Sequence, residues 1–276
     1  EFVPDNKQLV HHLNAHLITY DKEKSDHLKY VKPILNDDIH NDSSAFHQLN
    51  IPYGDGRFPK LLPSVSNYLP GVEPIIYPDG IGVIRANKQS ALLIKDIHYG
   101  PSPLIQTDHS YFNIYFDENP PKRQIGEFIL GTQGISPITP PLVIPPNQVK
   151  KFETETRIPE DISVLTINPH MHLIGREFKA YTISPIGDTI PLIKIDDWNF
   201  RWQYFYTFPK MLHLSAGSVI KVEAIFDNTL NNMDNPHNPP QFVTGKNGSM
   251  KTTDEMLQLV VTYLPYKDGD ENLSLE

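Results

Sequence analysis

The chain of 276 residues contains no cysteine, which excludes several classes of site at once. Without thiolates there can be no disulfide, no catalytic thiol, no cysteine-bound zinc or iron–sulfur cluster, and no copper site of the blue type. The compartment stays open, because a periplasmic protein can lack disulfides. Any transition-metal site must therefore use imidazole, carboxylate or thioether ligands, and the chain has 12 histidines.

Long apolar runs and basic clusters are also missing from the sequence. No run approaches the roughly 18 apolar residues of a membrane-spanning helix, so we expect no membrane span. The net charge of -9 and the lack of lysine-rich or arginine-rich runs argue against nucleic acid as a partner. The chain opens without Met on a strand-like stretch. We therefore expect a fragment or processed product, with an upstream redox domain or a separate electron donor.

Helical periodicity is scarce, and alternation of apolar and polar residues is common. Every second residue from Ile220 to Phe226 is apolar, and "HSYFNIYF" alternates in the same way from Phe112. With 26 prolines as punctuation, this pattern predicts an all-β fold of antiparallel sandwiches. Pro-rich "ENPPKRQ" divides it into domains 1–122 and 123–276. A short helix is predicted in "SDHLKYVKPIL" and a polar loop over 37–56.

Two groups of histidines are candidates for metal binding. His170 and His172, in "NPHMHLIG", would project from the same face of a strand and could share an ion. Spacing does not identify their third ligand, although "TTDEMLQLVV" offers Asp254, Glu255 and Met256. A set of two histidines and a methionine would favour Cu(I) over zinc.

The second group consists of the adjacent His11 and His12 and the more distant His98. Adjacent residues of a regular strand point to opposite faces, so His11 and His12 can reach one metal only at a bulge or a strand end. A lone histidine such as His98 is more often a structural side chain than a ligand. The residues alone therefore indicate a β protein with a candidate metal site.

Several stretches, taken in order, resemble the copper type II, ascorbate-dependent monooxygenases, the family of peptidylglycine alpha-hydroxylating monooxygenase and dopamine beta-monooxygenase. They include "LVHHLNAHLI", "LLIKDIHYGP", "NPHMHLIGREFKAY" and "TTDEMLQLVVTYLP", and the resemblance covers nearly the whole chain. It implies two antiparallel jelly-roll β-sandwich domains, each with one copper ion. The absence of disulfides suggests a bacterial relative, which we expect to be periplasmic, secreted or in the cell envelope.

The resemblance also implies an activity and a ligand set. The electron-transfer copper would bind His11, His12 and His98 of the first domain. The oxygen-binding copper, where catalysis occurs, would bind His170, His172 and Met256 of the second domain. The expected reaction hydroxylates a C–H bond of a small organic substrate with O₂ and electrons from ascorbate or another one-electron reductant. Asp254 and Glu255 would either orient this site or cap a turn.

The sequence departs from the peptide-amidating enzyme where that enzyme holds its substrate carboxylate. Those positions carry Asn168, Gln258 and Val260 here, so we do not expect a peptidylglycine substrate. The aromatic residues Trp198, Trp202 and Tyr204 would line the cleft or, as we favour, lie in the core of a sandwich.

Three alternatives remain. A cupin-like mononuclear oxygenase would bind its metal through His170, His172 and Glu177. A copper-binding or copper-storage protein of the envelope would bind metal without consuming O₂. A carbohydrate-binding sandwich would need no metal.

Overall fold

The computed structural model describes residues 1–19, 64–72, 74, 76–82, 90–100, 102–115, 119, 121–245 and 251–275. The chain divides into two compact units, Glu1–Ile125 and Gly126–Glu276, a division close to the domain boundary predicted after residue 122. The helix predicted over 25–35 and the loop predicted over 37–56 lie outside the described residues. The described part of the chain has no apolar helix of membrane-spanning length.

The described strands of the first unit form one three-stranded sheet and two shorter pairings. Its described strands are Phe2–Val3 (β1), Val10–Thr19 (β2), Ser64–Tyr68 (β3), Ile81–Gly82 (β4), Ser90–Tyr99 (β5), Tyr111–Phe112 (β6) and Arg123–Gln124 (β7). Strand β2 lies between β3 and β5, and both pairings are antiparallel. β1 pairs with β6 antiparallel, and β4 pairs with β7 in parallel. The predicted histidine strand is therefore the centre of the main sheet.

The second unit contains two larger antiparallel sheets. Its strands are Gly126–Gly131 (β8), Ile138–Thr139 (β9), Val143–Ile144 (β10), Gln148–Arg157 (β11), Ile162–His170 (β12), Gly175–Ile183 (β13), Thr189–Ile195 (β14), Tyr206–Leu214 (β15), Val219–Asn228 (β16), Val243–Thr244 (β17) and Gln258–Pro265 (β18). One sheet has the order β14-β13-β16-β11-β9 and the other β15-β12-β18-β8, while β10 pairs with β17. A short 3-10 helix follows at Asp270–Asn272.

One apolar core joins the buried faces of these two sheets. In β16 every second residue from Ile220 to Phe226 is buried, as the alternation in the sequence predicts. The opposing sheet contributes Leu259 and Val261 of β18 to the same cluster. Each large apolar side chain fully buried in this way stabilises the fold by about 1.5–3 kcal/mol. The packing is that of a β-sandwich, and the prediction of an all-β fold is confirmed.

The prediction of a strand in "HSYFNIYF" is largely wrong. Among its described residues, 109–115, only Tyr111–Phe112 form a strand, and Ile114 is 61% exposed although the alternation predicts a buried position. The reason is the length of the partner, because β1 offers only Phe2–Val3 for pairing. Alternation in the sequence indicates which face a residue would take, but a neighbouring strand must be present to make that face part of a core.

Candidate metal centre

His170 and His172 lie at the end of β12, beside the segment that leads into β18. His170 is the last residue of β12 and its Cα is paired with that of Gln258. Beyond this pair the two segments stay in contact, because the two residues that precede Met256 hydrogen bond to His172. The rings of His170 and His172 are perpendicular, with centroids 5.1 Å apart. The two imidazoles are therefore adjacent, and Met256 directly follows Glu255, whose carboxyl bonds to the backbone of His172.

The Nδ1 atom of His170 is held by Gln203. It lies 2.7 Å from Oε1 of Gln203, while Nε2 of Gln203 donates a hydrogen bond to the carbonyl of Phe200. A carbonyl oxygen can only accept, so this second bond fixes the orientation of the Gln203 amide. Nδ1 of His170 must then carry the proton and donate it. Nε2 is consequently the nitrogen by which His170 would bind a metal.

The same reasoning applies to His172, whose Nδ1 lies 2.9 Å from the backbone carbonyl oxygen of Asp254. His172 is 3% exposed, and the indole N–H of Trp198 donates to its carbonyl at 3.1 Å. The ring of Phe200 meets its imidazole edge to face at 5.8 Å. Both histidines therefore have the tautomer that presents Nε2 to a metal ion.

Glu255 joins the two segments that carry the proposed ligands. Its carboxyl is buried and accepts backbone N–H groups from His172 at 2.9 Å, from Ile174 at 2.8 Å and from Met256 at 3.2 Å. Burial raises the pKa of this carboxyl to about 8, although the three N–H donors act in the opposite direction. These contacts join the turn after His170 to the segment of Glu255, and both roles considered from the sequence, orientation of the site and capping of a turn, are compatible with them.

Met256 is 3% exposed but is not one of the side chains of the main core cluster within the described residues. Its neighbour Leu257 and the nearby Met171 both belong to that cluster. Met256 is thus a buried methionine on the segment whose Glu255 bonds to His172, which makes it the candidate thioether ligand. Two imidazoles and one thioether form a donor set that fits Cu(I).

The histidines of the first unit also meet. His12 on β2 is paired with His98 on β5, and their ring centroids are 3.9 Å apart. The register shifts on either side of His12, which is the irregularity that adjacent histidines need in order to face one ion. Nδ1 of His11 lies 2.9 Å from Nδ1 of His12. One of these nitrogens can donate an N–H to the other, and in place of that hydrogen a single ion can lie about 2.0–2.1 Å from both nitrogens.

The side chains predicted as metal ligands come together less completely than the predicted ligand sets imply. Across the described ranges, no three His, Cys, Asp or Glu side chains are gathered so that they could hold a metal ion. His11, His12 and His98 thus lie together in pairs rather than as a three-ligand group. Their imidazole nitrogens fit copper, and a copper site formed by these three histidines stays a prediction.

Glu177, the third ligand of the cupin-like alternative, is placed away from the histidine pair. It lies on β13 of the five-stranded sheet, whereas His170 ends a strand of the four-stranded sheet. The Glu177 side chain is exposed and His172 is buried. The structure therefore offers no support for a site of His170, His172 and Glu177.

At the positions where the peptide-amidating enzyme holds its substrate carboxylate, the amides of this chain form hydrogen bonds within the chain. Asn168 donates to the carbonyl of Tyr204 at 2.8 Å, and Gln258 donates to the carbonyl of Thr132. Of the aromatic residues, Trp198 lies in the core as predicted, but Trp202 is 58% exposed. Trp202 stacks on Tyr204 at 5.6 Å, which keeps both rings near the surface.

Comparison with known proteins does not assign the chain to a family. No protein-family model matches the sequence, and no curated protein matches it either.

Sequence reasoning missed Gln203. The residue lies 33 positions after His170, in a segment without regular alternation. The sequence carries no local signal for it beyond its place between the aromatic residues Trp202 and Tyr204.

Proposed function

We propose that the chain is a dicopper monooxygenase with two jelly-roll β-sandwich domains, which hydroxylates a C–H bond of a small organic substrate with O₂ and an external reductant such as ascorbate. The observation that carries the proposal is that Nδ1 of both His170 and His172 faces an oxygen acceptor, in a segment that bonds to the one carrying the buried Met256. The resemblance in the order of the motifs supports the same assignment.

Each residue of the proposed site has a defined task. His170 and His172 would hold one copper ion through Nε2, and Met256 would add its thioether. Such a set stabilises Cu(I), the oxidation state that reacts with O₂. Glu255 keeps the two ligand segments together, and burial of His172 excludes water from one side of the site. His11, His12 and His98 would hold the second copper ion, which passes an electron.

Two conservative substitutions test the ligand assignment. Met256→Leu keeps the volume and removes the thioether, so it should abolish copper–sulfur scattering in the X-ray absorption spectrum of the Cu(I) protein. It should also lower ascorbate-dependent O₂ consumption by at least about 100-fold. Met171→Leu is the matched control, because Met171 is fully buried in the apolar core and should leave both signals unchanged.

The same experiment separates the proposal from its rivals. A copper-binding protein of the envelope would show copper–sulfur scattering without O₂ consumption. A cupin-like site would show no copper–sulfur scattering in the wild type. Retention of the sulfur signal in Met256→Leu would exclude Met256 as a ligand.

A further inference from the structure

The segment between β14 and β15 carries three contacts to the histidine pair. The indole N–H of Trp198 bonds to the carbonyl of His172, Phe200 packs against the His172 ring, and Gln203 bonds to His170. We call residues Trp198–Gln203 the brace, because this segment contacts both histidines.

The brace is itself fixed in place. The backbone N–H of Trp198 donates to the carbonyl of Arg176, and that of Trp202 donates to the carbonyl of Asn199. The residue after the brace, Tyr204, is held through its carbonyl by the amide of Asn168 at 2.8 Å. Gln203 is 8% exposed between two more exposed aromatic residues. A buried amide with both polar atoms bonded has one orientation and cannot exchange partners without loss.

We propose that Gln203 is a positioning residue for His170, which fixes the proton on Nδ1 and so assigns Nε2 to the metal. The effect of Gln203 on the tautomer does not depend on the proposed function. Only the identification of the metal as copper rests on it. A neutral amide oxygen is a weaker acceptor than a carboxylate, and the backbone carbonyl that faces His172 is of the same kind. At both histidines an oxygen acceptor thus faces Nδ1, which leaves Nε2 as the nitrogen that would bind a metal ion.

The tautomer can be measured in the metal-free protein by long-range ¹H–¹⁵N correlation NMR of histidine ring nitrogens. In the wild type we expect a protonated Nδ1 and an unprotonated Nε2 at His170. Gln203→Leu removes the acceptor at similar volume and should give a mixture of tautomers at His170, with His172 unchanged. Gln203→Glu keeps an acceptor oxygen and should retain the wild-type tautomer. Gln258→Leu is the matched control, since Gln258 faces His170 in register but bonds to Thr132.

Cu(I) affinity gives a second measurement. Gln203→Leu should weaken binding at the second unit by about 10- to 100-fold, the usual effect of removing a partner of a ligating histidine. Gln258→Leu should leave this affinity within about threefold of the wild type. An Nε2-protonated His170 in the wild type, or an unchanged tautomer in a folded Gln203→Leu variant, would overturn the proposal. Failure of the wild type to bind copper would instead overturn the proposed function and leave the tautomer result standing.

Discussion

At the scale of single residues, the site is defined by which histidine nitrogen carries the proton. Gln203 and the carbonyl of Asp254 each accept from an Nδ1 atom, and Glu255 binds the backbone around both ligand segments. These contacts involve acceptors and N–H donors that are separated widely in the sequence. They act on the geometry of His170 and His172 before any metal is bound.

Glu255 gives the metal-free protein a pH dependence of defined sign. Burial raises the pKa of its carboxyl from 4.5 to about 8, so the folded state holds this proton more tightly than the unfolded chain. The resulting stabilisation is complete below about pH 4.5 and is lost as the pH rises to about 8. Glu255→Gln cannot ionise, and its melting temperature should therefore fall less than that of the wild type over this range.

Differential scanning calorimetry of the metal-free proteins between pH 5 and 8 would measure this difference in melting temperature. This range is roughly the window in which protonation of Glu255 is linked to folding. Glu177→Gln serves as the control, because the Glu177 side chain is exposed and its variant should keep the wild-type slope. Parallel slopes for the wild type and Glu255→Gln would show that Glu255 does not hold its proton in the folded state.

The sequence reveals some of these residues better than others. His170 and His172 are visible because two histidines at strand spacing form a local pattern, and Met256 follows from the resemblance. Gln203 lies outside any such pattern, since its contact with His170 depends on how the segment between two strands folds back. Glu255 is visible as a neighbour of Met256, but its complete burial depends on packing that no local pattern encodes.

At the scale of elements, the position of Met256 depends on the register between β8 and β18. Gly131 ends β8 opposite Gln258, with a left-handed backbone at φ 83°. A Cβ atom at this position would collide with the carbonyl oxygen of Leu257. The close approach of the two chains therefore requires glycine, and it fixes the residue that follows Met256.

Gly131→Ala should destabilise the second unit by about 3–5 kcal/mol, from left-handed strain together with the collision. Gly187→Ala is the matched control, because Gly187 has φ 94° but no atom within 4 Å of an added Cβ. Its cost should be that of strain alone, about 1–2 kcal/mol. Urea denaturation measures both values, and equal losses would contradict the role assigned to Gly131.

Elements were predicted best where a partner strand is long. The alternation in β16 is borne out because β11 and β13 flank it, and the apolar face of Leu257, Leu259 and Val261 lies in the core. The alternation from Phe112 predicts a strand of similar quality, yet it pairs with only two residues of β1. Period-two patterns report local preference, whereas pairing depends on the rest of the fold.

At the scale of the whole molecule, the two units are each compact and each brings together a group of histidines named from the sequence. In the second unit, the tautomers and the buried Met256 are suited to one copper ion. In the first unit, the paired rings and the irregular register of β2 are suited to another. We propose on this basis that one chain binds two copper ions at separate sites.

The most direct test is the amount of copper retained per chain after anaerobic reconstitution and desalting. The account predicts about two copper ions in the wild type and about one in His170→Ala, which removes one ligand of a single site. His213→Ala is the control, since His213 stacks on Tyr266 in the second unit and should leave the copper content unchanged. Retention of one iron or manganese ion, of no metal, or of two copper ions in His170→Ala would contradict the account.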